Sequence, residues 1–123
     1  MPFDFAAIVI LSPACRLRDS LRVLLKSTRP IIPIEPAEGL EPARPRLAGA
    51  APVLVLIDAT LPEGAAWAAL EEIRRLYPQH RCVILAQTAA DQAQGRAAGV
   101  PVVGPESLTA MSLLATAEAG NKV

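Results

Sequence analysis

Apolar runs and helical stripes alternate along this chain. Val53-Leu54-Val55-Leu56-Ile57 is an unbroken apolar run, rich in β-branched residues and flanked by turn formers. Such a run predicts a strand buried on both faces. Phe5 to Leu11, Cys82 to Ala86 and Val100 to Val103 read as strands too. Ile31 to Glu35 is a short second strand, and Pro33 within it argues for a sheet edge. Helical spacing fills the gaps. Ser12-Pro13 has the form of a helix start, and Leu17, Leu21, Leu24 and Leu25 form one stripe behind it. Gly64 to Tyr77, stopped by Pro78, carries Trp67, Leu70, Ile73, Leu76 and Tyr77 as its buried side. Ala89 to Ala98 is a weaker helix containing Gly95, with Gly99 as its C-terminal cap. Ser107 caps a last helix, Leu108 to Ala119, before a frayed end.

One segment departs from this rhythm. Six of the 12 prolines fall between Pro30 and Pro52. Pro36, Pro42 and Pro45 predict a loop that replaces a helix, with room only for a short or irregular helix around Ala43 to Ala48. The remaining alternation of strand and helix argues for a parallel sheet covered by helices on both faces.

At 123 residues the chain is one domain, 1–123, with a core of useful size. The core must come from Ala, Val, Leu and Ile, because the chain is 52% hydrophobic but only 3% aromatic. Twelve basic side chains balance 12 acidic ones, which gives no reason to expect nucleic acid or an anionic membrane as partner. Cys15 and Cys82 are too few for a disulfide scaffold and are expected to be reduced thiols. No signal peptide pattern and no apolar run of membrane-spanning length occurs. A cytoplasmic location is the expectation. No glycine-rich phosphate cradle follows the first strand, which speaks against dinucleotide binding. His80 lies in a turn after Pro78-Gln79 without a second ligand at metal spacing, and is expected to be solvated.

The chemistry-bearing feature is the residue that ends the central run. Asp58 would stand at the carboxyl edge of a parallel sheet, where α/β folds place their ligands. Leu54 to Gly64 (LVLIDATLPEG) resembles the receiver domain of two-component response regulators, in which a strand ends on the phospho-accepting Asp with Pro four positions later. Arg18-Asp19-Ser20-Leu21 with Leu24-Leu25 is similar to the first receiver helix, and Ala97-Ala98-Gly99 to the turn before the last receiver strand. The resemblance covers nearly all of the chain. It implies an α/β fold: a doubly wound, five-stranded parallel sheet of the flavodoxin-like type, order 2-1-3-4-5.

The departures from that pattern bear on activity. Receivers carry two adjacent acidic residues after the first strand, which hold Mg2+; here Ser12 and Pro13 stand there. Neither replaces a carboxylate on a hard cation. The hydroxyl residue ending the fourth strand is Ala86, the Lys before a Pro after the fifth is Gly104, and Val102 and Val103 replace the aromatic residue of that strand. Only Asp58 of the phosphorylation set is present. Glu63 and Glu106 follow strands but are read as charges placed near helix starts.

The resemblance and its departures together lead to a pseudo-receiver, not an enzyme, without cofactor or metal, that acts in signalling through protein contacts. Its partner would be a sensor kinase or a downstream signalling protein. The last helix supports a contact role: Ser107 to Ala117 carries no charge, so Leu108, Met111, Leu113 and Leu114 are candidates for an interaction surface, including a homodimer through the last strand and helix. Two alternatives remain at this stage. One is a single-domain response regulator phosphorylated on Asp58, with Mg2+ as its cofactor. The other is a small-ligand binder using the space a metal would fill. With Met1 just before the first strand and Val123 just after the last helix, no output domain is expected.

Overall fold

The computed structural model describes residues 5–13, 16–28 and 32–104. Five strands form one sheet: β1 (Ile8–Leu11), β2 (Ile34–Ala37), β3 (Leu54–Asp58), β4 (Arg81–Leu85) and β5 (Val102–Val103). Every pairing is parallel and the order is β2-β1-β3-β4-β5. This is the doubly wound topology that the resemblance implies. The helices are α1 (Arg16–Thr28), α2 (Leu40–Leu47), α3 (Ala65–Leu76) and α4 (Ala89–Ala97). The expected last helix lies outside the described residues.

Strand alternation splits the core into two layers. Val9, Leu11, Val55, Ile57, Cys82 and Ile84 face one side, where Ala43 and Leu47 of α2 and Ala66, Leu70 and Ile73 of α3 cover them. Ile8, Ile10, Leu54, Leu56, Val83 and Leu85 face the other, with Leu21 and Leu25 of α1. All five residues of β3 are buried, as an unbroken apolar run at the sheet centre requires.

β2 is an edge strand, as the proline argument required. Its frame differs by a few residues: Pro33 precedes it and Pro36 lies within it, opposite Ile10. An edge strand has one free side, so a residue without an N–H fits there.

Three expectations need correction here. First, the proline-rich segment is not a loop in place of a helix: it forms the short helix that the prolines leave room for, α2, eight residues from Leu40 to Leu47 with Pro45 inside. Pro42 falls in its first turn, where an N–H has no helical partner anyway. Tertiary contacts offset the bond that Pro45 removes. Ala43 and Leu47, four apart, are buried against the sheet. Arg44 pairs with Glu41 of its own helix at 2.8 Å and with Glu72 of α3, and Arg46 pairs with Glu35 of β2 at 2.9 Å. Second, Leu76 and Leu24 do not belong to the core; they are 45% and 36% exposed. In α3 the positions Ala66, Ala69, Leu70 and Ile73 make the buried face, with Trp67 and Tyr77 half-buried beside them. Small residues let α3 approach the sheet closely, a signal that a search for large apolar side chains misses.

Third, His80 is not solvated. It is buried, and its imidazole bridges two backbone groups from another part of the chain. Nδ1 accepts the Val53 N–H at 3.0 Å, and Nε2 lies 2.6 Å from the Leu47 carbonyl oxygen. An accepting Nδ1 puts the ring proton on Nε2, which therefore donates to Leu47. Beside it, Gln79 donates Nε2–H to the Gly49 carbonyl at 3.1 Å. The turn before β4 thus clasps the loop joining α2 to β3.

α4 ends as its sequence predicts. Gly99 adopts φ +71°, and Gly99 N–H and Val100 N–H return to the carbonyls of Arg96 and Gly95. That is a Schellman closure, whose left-handed position favours glycine. Thr88 caps the other end by accepting the Asp91 N–H at 3.0 Å.

Candidate functional site

The register of the three central strands builds the site. Leu11 pairs with Ile57, so the next residues, Ser12 and Asp58, emerge side by side at the carboxyl edge. Backbone bonds extend the ladders past the strand ends: Ser12 N–H to Ala37 O at 2.9 Å and Ala59 N–H to Leu85 O at 3.0 Å. Asp58 is 1% exposed and Ser12 equally so.

Both Asp58 oxygens are engaged from within the chain. Ser12 donates its hydroxyl to Oδ2 at 3.0 Å. Thr60 donates to Oδ1 twice, through N–H at 2.9 Å and Oγ1–H at 2.7 Å. The Asp58 carbonyl also accepts the Leu61 N–H at 3.1 Å. A carboxylate accepting the N–H two residues on is an Asx turn, here doubled by the threonine hydroxyl. The Ser12 bond spans strands β1 and β3 and ties their ends. None of the ion pairs among the described residues involves Asp58.

Ser12 thus has a partner on another strand, and the residues that would receive a helix cap from it, 14–15, lie outside the described residues. Ser12 and Pro13 are non-helical, α1 begins at Arg16, and the serine hydroxyl turns toward Asp58. Pro13 is half-buried beside it. Ala86 is buried at the end of β4, its N–H bonded to the Val103 carbonyl at 3.0 Å. Gly104 is half-buried just past β5. Asp58, Ser12 and Pro13 thus share one edge, with Ala86 and Gly104 at the ends of the neighbouring strands. Glu63 is exposed on a 3₁₀ turn, Pro62–Gly64, where it and Gly64 both take left-handed backbone (φ +58° and +70°). Leu108, Met111, Leu113 and Leu114, together with Cys15 and Glu106, lie outside the described residues.

Thr60 was not singled out by sequence reasoning. The signal existed, because Asp-x-Thr is the residue pattern of an Asx turn closed by a hydroxyl. The partnership of Ser12 with Asp58 had no such local signal, since it depends on the β1–β3 register.

The residues at this edge do not fit a divalent cation. A hard cation needs several oxygen ligands, preferably carboxylates. Pro13 has no side-chain donor atom, and the Ser12 hydroxyl already serves Asp58. Among the described residues no group of three or more His, Cys, Asp or Glu side chains is placed to hold a metal.

No protein-family model matches the chain, and no curated protein matches it. Solved structures do. A CheY-like response regulator receiver domain from Methanospirillum hungatei JF-1 is 17% identical with a TM-score of 0.71, over 96% of this chain and 98% of that one. A two-component transcriptional regulator AraC from Clostridium phytofermentans ISDg is 15% identical with a TM-score of 0.70, over 94% and 93%. A Burkholderia pseudomallei response regulator, solved with a phosphorylated aspartic acid, calcium ion and citrate, is 17% identical with a TM-score of 0.67, over 90% and 65%. The chain has the CheY-like receiver fold. No helix among the described residues is long and apolar enough to cross a membrane.

Proposed function

We propose that this chain is a pseudo-receiver: a response-regulator-like module that acts in phosphorelay signalling by protein contact, without Mg2+-dependent phosphorylation and without enzymatic activity of its own. The observation that carries this reading is the state of the Asp58 carboxylate. Its two oxygens are held by Ser12 and Thr60 at the edge where a receiver needs a metal-facing acid. Phosphoryl transfer to a carboxylate depends on neutralising the charge of the equatorial oxygens. Removing one electrostatic partner of this kind costs about 3–4 kcal/mol of transition-state stabilisation. Here the acidic pair has become Ser12 and Pro13, and the cation position has become Gly104. The likeness to response regulator receivers supports a sensor kinase or a downstream signalling protein as the partner class, with the cytoplasm as the proposed location.

A Mg2+ titration tests the metal half of this reading. A ligand that binds only the folded state raises the unfolding temperature, by an amount that grows with the logarithm of its concentration above Kd. Millimolar Mg2+ should leave the thermal midpoint where an equal ionic strength of NaCl leaves it. A concentration-dependent rise with Mg2+ beyond that of NaCl, absent in Asp58→Ala, would favour a regulator phosphorylated on Asp58.

A further inference from the structure

We propose that α4 and the turn after it, residues 89–99, form a flap that opens as a unit off β5 and is latched shut by the Arg74 guanidinium of α3. The helix has little hold of its own on the core. α1 inserts Leu21 and Leu25, α2 inserts Ala43 and Leu47, and α3 inserts Leu70 and Ile73. α4 inserts no side chain, because the only buried one of its nine residues is Gly95. An isolated helix shorter than about 12–15 residues is marginal in water. Segments with few buried apolar contacts are the ones that open locally, at a lower cost than global unfolding.

The latch is a forked one. Arg74 leaves the last turn of α3 and donates Nη1–H to the Ala98 carbonyl at 2.6 Å and Nη2–H to the Gly99 carbonyl at 3.1 Å. Both carbonyls belong to the turn that closes α4, so one planar group fixes the end of the helix. The flap also has defined bounds. Thr88 is extended (φ −117°, ψ 156°) and Gly99 is left-handed (φ +71°), which places a break in the helical backbone at either end. The Thr88 cap on Asp91 N–H is local and travels with the helix. A close approach to β5 completes the closed state. A Cβ at Gly95 would stand 2.4 Å from Val102 Cγ2, nearer than two carbon atoms can sit. The flap thus shuts fully only with glycine at position 95.

Opening uncovers part of the apolar layer on that side of the sheet. Val100 and Cys82 are buried in it, and Val102 is half-buried against it. Arg74, Gly99, Val100 and Cys82 line one cleft, so the latch and the turn it holds stand in front of the Cys82 thiol. Burial pushes that thiol up to about 12, which keeps it protonated and unreactive while the flap is shut. Its reaction with a thiol reagent therefore reports opening. The latch lies at the amino ends of β4 and β5, whereas Asp58 ends β3 at the carboxyl edge. It needs neither metal nor phosphate, and a partner that prefers one of the two states can bias it by contact alone. The flap is independent of the state of Asp58, so its failure and the failure of the pseudo-receiver reading are separate results.

Amide hydrogen exchange on the whole chain, read residue by residue by NMR, tests the flap. In the wild type the hydrogen-bonded amides of residues 92–100 should share one opening constant, about a hundredfold or more above that of β1 and β3. Arg74→Gln should raise that constant about tenfold or more and leave β1 and β3 unchanged, the effect of losing two charged hydrogen bonds at an exposed position. Gly95→Ala should act in the same direction, although alanine is the better helix former. Labelling of Cys82 by a thiol reagent, followed on its own peptide by mass spectrometry so that Cys15 does not interfere, should quicken in step in both variants. Four results would overturn the proposal: exchange of residues 92–100 at the rate of β3, unrelated rates within the segment, no change or a uniform change across the chain in Arg74→Gln, or slower exchange in Gly95→Ala. Arg74 is exposed on α3, so its substitution leaves the core intact.

Discussion

Replacing His80 by alanine should lower the unfolding free energy by about 3–4 kcal/mol, the largest effect expected of any single polar residue described above. The imidazole joins the carboxyl end of α2 to the amino end of β3 through two backbone groups that have no other partner in regular structure. Its loss strands the Val53 N–H and the Leu47 carbonyl in a buried setting. Each orphaned group costs about 1–3 kcal/mol, and the vacated ring volume adds to this. His80→Asn should lose only about half as much, because its Oδ1 falls near the place of Nδ1 and still accepts from Val53. Urea unfolding followed by circular dichroism measures both, with an unchanged m-value confirming a shift in stability alone. A loss below ~1 kcal/mol in His80→Ala would show that water replaces the clasp without penalty.

Asp58→Ala should cost about 2 kcal/mol, and Asp58→Asn less than ~1 kcal/mol. The direction is the informative part. Where several carboxylates crowd one site, removing one relieves repulsion and stabilises the chain. Asp58 instead accepts three hydrogen bonds, from the Ser12 hydroxyl and from Thr60 N–H and Oγ1–H, with no carboxylate among those partners. Alanine strands the Thr60 N–H and hydroxyl and leaves the Ser12 hydroxyl to its weaker contact, the Pro13 carbonyl at 3.1 Å. Asparagine keeps Oδ1 for Thr60, and its amide donates to the Ser12 oxygen once that hydroxyl turns round. The same denaturation experiment reads both variants. A stabilised Asp58→Ala would contradict the structural role assigned to the carboxylate.

Sequence pattern carried the architecture well, for identifiable reasons. Buried parallel strands are continuous apolar runs, and β3 is the clearest of them; Pro33 marked the edge strand, and Gly99 marked the end of α4. What pattern could not carry was decided by partners distant in sequence. Local propensity argues against a helix over α2, yet burial of Ala43 and Leu47 and the ties from Arg44 and Arg46 form it. His80 bonds to backbone atoms, so no residue spacing could announce it. At the site, Asp58 was legible from its place at the end of an apolar strand. Its engagement was not, because Ser12 reaches it only through the β1–β3 register. Ser-Pro reads locally as a helix start, and nothing in that reading points to the bond the serine makes to another strand.

The central claim is that the fold has kept the receiver aspartate while its chemistry has been replaced by hydrogen bonding. Incubating the chain with a small phosphodonor and Mg2+, alongside Asp58→Ala, and recording intact mass tests this most directly. The account predicts no phosphate adduct on either protein. A phosphate adduct on the wild type that is absent from Asp58→Ala would contradict it.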